Sequence, residues 1–467
     1  MLTDFLIITK NELAVTLIIF VLLFIKLGKF MKNETMLGVI YFLLFINFAV
    51  SLFGLQNAWD LFDGMFSISP LINLQKAILN LAVLLIAFLN HDWLKKHQHL
   101  PEFFMLILSA LLGMFLLISS GNLLIFFLSL ELASIPVAAL ANFDLNKKQS
   151  SEAAMKMILS SAFSSGILLF GISLVYGATG TIQFVELSER LTNSPIQILA
   201  FVFLFTAFAF KLSVVPFHLW TADVYEGSPV ATTSFLSVVS KGAIAFIFIS
   251  ALYKVFGNLQ QVWYNMLVIL SVATLLVGNL FALRQNNLKR FLAFSSIAQV
   301  GFILVGMSAS SEVGTASVTY FVLVYVFSNL AAFGVVSIIS SATGRETIDD
   351  YKGFYQNNKF LGWILTLALF SLAGIPPTAG FFGKMFLIIA GGTKASIPFI
   401  VIVILNLVIS LYYYLRVVRA IFMDKNENPI EKVKPGTIAT FGLIICAIGI
   451  VFTGLISWIY EYIKSLS

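Results

Sequence analysis

FVFLFTAFAFKLSVVPFHLW, residues 201–220, reads as a membrane span that carries its own interruption. Its first ten residues are apolar apart from Thr206, and Lys211 is followed five positions on by Pro216. Proline has no amide hydrogen and its ring clashes with the carbonyl four residues back, here that of Leu212. A carbonyl freed at membrane depth is tolerated only where protein or water satisfies it, so the sequence predicts a hydrated pocket around Lys211. His218, just past the break, is a residue type that titrates near physiological pH and is a candidate proton relay.

SLAGIPPTAGFFGKMFL at 371–387 repeats the device. Pro376 and Pro377 open the helix, Gly380 and Gly383 permit close packing, and Lys384 follows about two turns beyond the break. Lys241 lies in SFLSVVSKGAIAFIF, 234–248, beside Ser237 and Ser240, whose hydroxyls can hold water or accept from the ammonium. Glu131 lies in NLLIFFLSLELASIPVAAL, 122–140, near Ser129, Ser134 and Pro136. Glu131, Lys211, Lys241 and Lys384 read as the only four ionisable side chains deep inside spans. A charge at the bilayer centre costs about 2.5–3.5 kcal/mol, so four cost on the order of 10 kcal/mol unless paired or hydrated. Buried ion pairs are weak stabilisers, and two of these four groups adjoin helix breaks, so the pattern points to an ion path rather than to pins between helices. Burial and a nearby opposite charge act on proton affinity in opposite directions, so a Glu–Lys pair whose spacing changes is a proton switch.

Composition supports the same class. With 59% hydrophobic and 11% charged residues among 467 and a mean hydropathy of +0.98, the apolar stretches repeatedly reach the ~20 residues that cross a hydrocarbon core. The chain is expected to be an all-α polytopic membrane protein of fourteen spans, centred near residues 20, 45, 82, 110, 131, 166, 206, 241, 272, 300, 328, 374, 410 and 450. The apolar start has no small-residue cleavage site after it and reads as the first span. A net charge of +6 could suggest nucleic acid, but the basic residues sit in short loops between spans, so no nucleic-acid partner is expected. Alternate loops put 19 of the 28 Lys and Arg on one face and 6 on the other, the rest being the three buried lysines. The rich face, with Lys26, Lys29, Lys32, Lys95, Lys96, Lys147, Lys148, Arg284, Lys289, Arg290, Arg345, Arg416 and Arg419, is expected to be cytoplasmic and both termini outside.

Spans 4 to 8 and 9 to 13 read as two versions of one five-helix unit. AFSSGILLFGI at 162–172 is echoed by VFSNLAAFGVV at 326–336, and each unit goes on to a proline-interrupted helix. Five is odd, so the second unit crosses the membrane inverted, an arrangement that places an ion or substrate site at the midplane. The expected divisions are 1–100, a three-helix segment; 101–257 and 258–425, the two repeats; and 426–467, a last helix. Cys446 is the single cysteine, which excludes an internal disulfide or a cysteine-held cluster. No phosphate loop, dinucleotide fingerprint or paired-histidine arrangement is present, and His91, His97 and His99 sit in a basic loop without further ligands, so no metal or redox centre is expected in this chain. Asp223 and Glu226, in TADVYEGSP, read equally as solvated loop carboxylates or as groups for proton uptake.

Five stretches together resemble the antiporter-like membrane subunits of proton-pumping NADH:quinone oxidoreductase, respiratory complex I. They are ELASIPVAAL (131–140), SSEAAMKMILSSAFSSGILLFGISLVYGATGT (150–181), KLSVVPFHLWTADVYEGSPVATTSFLSVVSKGA (211–243), NLKRFLAFSSIAQVGF (287–302) and GIPPTAGFFGKMFL (374–387). The resemblance implies a fourteen-helix fold with inverted repeats, and it implies proton-translocating roles for Glu131, Lys211, Lys241 and Lys384. Lysine at the last position favours the N branch of the family over the M branch, where glutamate is usual, and the chain lacks the long lateral helix of the L branch. Relatives often read SSIAHVGY where this chain has SSIAQVGF at 295–302, so Gln299 stands in place of a titratable histidine. The resemblance further implies NADH, FMN, iron–sulfur clusters and quinone in partner subunits, neighbours of the M and small K type, and a bacterial inner membrane.

The expected mechanism is a proton channel driven from outside the chain. Protons reach Lys241 from the cytoplasm, the Glu131–Lys211 pair sets the affinity of that lysine, and Lys384 releases to the far side. The nearest rival is a subunit of a multi-subunit Na⁺/H⁺ antiporter. A carrier of a small organic solute would need convergent polar and aromatic contacts around one pocket, whereas these polar groups string out over several helices. A structural scaffold is the remaining option.

Overall fold

The computed structural model describes residues 2–28, 32–309, 311–393 and 395–467. Lys29, assigned above to the lysine-rich face, lies outside the described residues. Among them, thirteen helices are long and apolar enough to cross a membrane, and two shorter helices in line make a fourteenth. In chain order these are α1 (Lys10–Gly28), α2 (Asn33–Leu52), α3 (Pro70–Leu89), α4 (Leu100–Ile118), α5 (Leu123–Ala141) and α6 (Lys148–Thr179). They continue as α7, α8 (Val230–Lys254), α9 (Gly257–Arg284), α10 (Leu288–Met307), α11 (Glu312–Thr343), α12, α13 (Ile397–Phe422) and α14 (Thr437–Leu455). α7 is broken into α7a (Pro195–Leu212) and α7b (Leu219–Gly227). α12 is broken into α12a (Lys359–Ala373) and α12b (Ala379–Gly392). All fourteen expected centres fall on these helices, that near 374 on the break in α12.

Both breaks lie where the prolines require them. α7a ends at Leu212, Ser213 turns into the left-handed region at φ 67°, and the Val215–Pro216 peptide is cis. Trp220 Nε1 folds back to donate to the Phe210 carbonyl at 3.1 Å, satisfying one acceptor that the break exposes. α12a ends at Ala373, capped by Gly374 at φ 86° and followed by a cis Pro376–Pro377 bond. Gly380 is required here, since a Cβ on it would sit 1.7 Å from the Ser371 carbonyl oxygen.

α8, α10 and α11 form the buried centre, whereas α1, α6 and α13 leave broad apolar faces exposed. Phe24, Phe163 and Leu405 on those faces are more than half exposed, as lipid-facing residues are. The loops 90–99, 142–147, 285–287, 344–358 and 423–436 close one end of the bundle in alternation with the others, and all but 285–287 carry Lys or Arg. At the opposite end lie a two-stranded hairpin, Trp59–Leu61 paired with Phe66–Ile68, and the short helices Phe184–Arg190 and Trp458–Ser465.

Two local structures recur. Asn122 caps α5 through its side chain and bridges to Gln183, and Asn287 caps α10 and bridges to Thr347. Gly113 lets α4 meet the α5 backbone at Ala133, and Gly278 lets α9 meet α10 at Ala298, a Cβ on either lying under 3 Å from the facing amide nitrogen.

Candidate functional site

Lys211, in the last turn of α7a, donates to Ser134 Oγ of α5 at 2.6 Å and to Ser161 Oγ of α6 at 2.7 Å. The expected direct pair with Glu131 is not formed. Glu131, half-buried on α5, instead accepts from Ser165 Oγ. Ser134 stands one turn beyond Glu131, so its hydroxyl takes the place on the ammonium that a carboxylate was expected to take.

Beside Lys211 lies a small cavity of about 20 Å³, lined also by Ser134, Ser161, Trp220 and Ser240. It is large enough for one water and polar enough to hold it. Ser240 ends a π-helical turn, Leu236–Ser240, that immediately precedes Lys241 in the middle of α8. Such turns interrupt the regular ladder and rotate the following residue, and they cluster at functional sites. Lys241 is 3% exposed. It donates to Ser296 Oγ of α10 at 2.8 Å, and its Nζ stands 5.4 Å from the centre of the Tyr225 ring. Ser237, which the sequence offered as an acceptor, instead receives the Asn329 amide at 2.8 Å.

One turn beyond Ser296, Gln299 donates to the Leu372 carbonyl at 2.9 Å and to the Tyr414 hydroxyl at 3.0 Å. Lys384 reaches back across the break to the same Leu372 carbonyl at 2.7 Å and to that of Ala373 at 3.3 Å. The ammonium thus rests on the carboxyl end of α12a, where unpaired carbonyls carry partial negative charge. Lys211 likewise stands at the carboxyl end of α7a. Tyr225 Oη, Tyr325 Oη, Gln299 Oε1 and Asn329 Oδ1 are buried along this stretch without protein partners, and water would satisfy them.

Among the described residues, none of Lys211, Lys241 and Lys384 makes an ion pair with a carboxylate; their partners are hydroxyls, an aromatic face and carbonyls. His218 is buried at the start of α7b with Nδ1 unpartnered. Asp223 and Glu226 are not free loop carboxylates. Arg290 binds both, at 2.7 and 2.8 Å, and Lys156 binds Asp223 at 2.6 Å, which ties α6, α7b and α10 together at the lysine-rich end.

The reading of only four deep ionisable groups needs correction. Lys76 of α3 is fully buried and pairs with Glu12 of α1 at 2.6 Å. Neither flanks a proline, and their partnership joins positions 64 residues apart, so local sequence gives no signal for it. Among the described residues, no cluster of His, Cys, Asp and Glu is arranged to hold a metal ion.

Residues 120–410 match the family described as NADH:quinone oxidoreductase/Mrp antiporter, TM. The chain is 46% identical over 418 residues to the NADH-quinone oxidoreductase subunit N of Phocaeicola vulgatus, covering 88% of this chain and 89% of that one. It superposes on a chain of respiratory complex I from Thermus thermophilus with a TM-score of 0.79 at 27% identity, covering 95% and 97%. A chain of the Mrp complex from Dietzia sp. DQ12-45-1b gives 0.88 at 19% identity, covering 98% and 96%, a likeness of fold alone.

Proposed function

Because the chain belongs to the NADH:quinone oxidoreductase/Mrp antiporter membrane family, we propose that its row of lysines carries protons across the membrane. It is a proton-translocating membrane subunit of an NADH:quinone oxidoreductase and works in a complex with other membrane subunits. The observation that carries the residue-level reading is the continuity of the row from Lys211 through the cavity to Ser240 and Lys241, then by Ser296 and Gln299 to the Leu372 carbonyl and Lys384. Hydroxyls and carbonyls stabilise an ammonium without holding it as an opposite charge would, so each lysine can gain or lose a proton without leaving a buried carboxylate behind.

Protons reach Lys241 from the lysine-rich face, with His218 as a relay group at the α7 break. Glu131 and Lys211 act as the control element. Shifting the Lys211 ammonium from Ser134 and Ser161 toward Glu131 lowers the positive potential at the cavity beside Ser240 and so changes the hold of Lys241 on its proton. Lys384 delivers to the opposite side. Coupled groups of this kind titrate as a set. Redox energy enters through partner subunits that carry NADH, FMN, iron–sulfur clusters and quinone. The nearest neighbours are of the M and small K type, and the half-buried face of α5 that carries Glu131 is where a neighbour would impose the shift. The setting is the bacterial inner membrane, with both termini on the outer side. The paired Asn122 and Asn287 caps and the paired Gly113 and Gly278 contacts support division into inverted repeats at 101–257 and 258–425, between a three-helix segment 1–100 and a last helix 426–467.

Glu131→Gln, Lys211→Met and the double variant, each scored separately for assembly of the complex and for proton translocation, test the control element. If it switches protons, all three assemble and the double variant pumps no better than either single one. Full pumping restored in the double variant would mean that the two side chains hold helices and move no protons. The antiporter alternative predicts instead Na⁺-dependent proton movement without NADH oxidation.

A further inference from the structure

Among the described residues, the translocation row leaves a buried lysine and carboxylate pair, Lys76 and Glu12, unused, and it lies outside both five-helix units. Lys76 is 0% exposed and Glu12 6%. The ammonium meets Glu12 Oε1 at 2.6 Å and stands 5.1 Å and 6.0 Å from the ring centres of Phe66 and Phe115. Only one carboxylate oxygen is used. Glu12 Oε2 and the neighbouring Asn11 Oδ1 are buried without protein partners. Lys10, two residues earlier and half-buried, is close enough to interact electrostatically with both Lys76 and Glu12. Its Nζ reaches the turn at Gly54, which belongs to the loop carrying the hairpin at the lysine-poor end.

Position links this triad to the row. One turn along α3 from Lys76, Leu79 packs beside Gly242, where a Cβ would meet Leu79 Cδ2 at 3.5 Å, and Gly242 follows Lys241. Gln75, the residue before Lys76, faces Thr319 of α11 at 3.5 Å. α3 therefore runs against the helix of the central lysine and carries its own ammonium one turn nearer the lysine-poor face.

We propose that Glu12, held between Lys76 and Lys10, is a further proton-carrying site on the outward side of Lys241, a proposal that rests on the proton-path reading above. A proton given up by the Lys241 ammonium is taken at Glu12 Oε2 through water, turning the carboxylate into the neutral acid while Lys76 keeps its charge. It then leaves Oε2 for water at the 53–69 loop, restoring the carboxylate. Only N–H and O–H bonds break and form. Between transfers the Lys76 ammonium pairs with the restored carboxylate at 2.6 Å, and Lys10 lies on its outer side. The competing explanation is a clasp that pins α1 to α3.

The test uses the intact complex in inner-membrane vesicles, with NADH-driven proton translocation expressed per assembled complex. Lys76→Met assembles, because Glu12 can become neutral, and its translocation falls roughly a hundredfold or more, the scale of losing a positioned proton-transfer group. Glu12→Gln/Lys76→Met gives the same loss. Glu12→Asp, which keeps a carboxyl and its partner, shifts a carboxylic acid infrared band that appears during turnover. Wild-type translocation per assembled complex in the two Met variants, or no band that responds to Glu12→Asp, overturns the proposal and leaves a clasp. Lys241→Met measured alongside separates the two levels: if it too pumps normally, the proton path itself has failed.

Discussion

Replacing Lys241 by Met separates function from stability most sharply, because the two predicted effects differ so much in size. An ammonium at the middle of a span costs about 2.5–3.5 kcal/mol. Its bond to Ser296 returns about 1.5–3 kcal/mol, as hydrogen bonds to charged groups do, and the Tyr225 face about 0.5–2 kcal/mol. The sums nearly cancel, so removing the ammonium changes stability by no more than about 2.5 kcal/mol in either direction. Methionine is of similar length and flexible enough to fill the vacated space without strain. Breaking a buried ion pair costs about 3–5 kcal/mol instead, and Lys241 has no such pair to break. Complex assembly and thermal stability are therefore expected at near wild-type levels. Proton translocation coupled to quinone reduction is expected to fall by roughly two orders of magnitude or more, as when a positioned proton-transfer group is lost. Blue-native electrophoresis gives the assembled fraction, and dye quenching in vesicles gives translocation. Loss of assembly by Lys241→Met would refute the energetic argument, and normal coupled pumping in assembled complex would refute the proton role.

Lys384→Arg keeps a cation able to donate to the Leu372 and Ala373 carbonyls but cannot give up its proton; assembly is expected with translocation lost, and wild-type pumping would make Lys384 a structural residue. Gly380→Ala forces a Cβ to 1.7 Å from the Ser371 carbonyl oxygen, so the α12 break must open by more than ordinary overpacking, which costs about 1–3 kcal/mol, and the assembled fraction should drop sharply in the same electrophoretic assay.

The span count, the two breaks and the three axial lysines were legible because each has a local cause: twenty apolar residues, a proline inside them, a cation among them. Partnerships were not. Nothing in ELASIPVAAL says that Ser134 rather than Glu131 will meet Lys211, because that depends on how α5 and α6 rotate against α7a. Lys76 sits six residues into α3 and Glu12 two residues into α1, positions where a charged side chain ordinarily snorkels to the interface. Only the packing of α1, α3 and α4 shows that this lysine is sealed in. The hairpin at 59–68 has strands of three residues each, too short for alternation to register.

What separates the axial lysines from Lys76 is the kind of counter-charge each has been given. Lys76 faces a carboxylate at 2.6 Å and would leave it uncompensated on losing its proton, so its ammonium is the fixed member of that pair and Glu12 the member free to change. Lys384 faces the carboxyl end of a broken helix, whose partial charge of roughly one half is set by the backbone and does not titrate, and Lys211 faces two hydroxyls. Lys241 faces a hydroxyl and an aromatic ring, which are weaker still. Of the three, Lys241 is bound least tightly in its charged form by groups of its own chain, so its proton responds most to a displaced charge nearby. On the proposed reading that charge is the Lys211 ammonium, which lines the same cavity as Ser240 and is held there by the Ser134 and Ser161 hydroxyls.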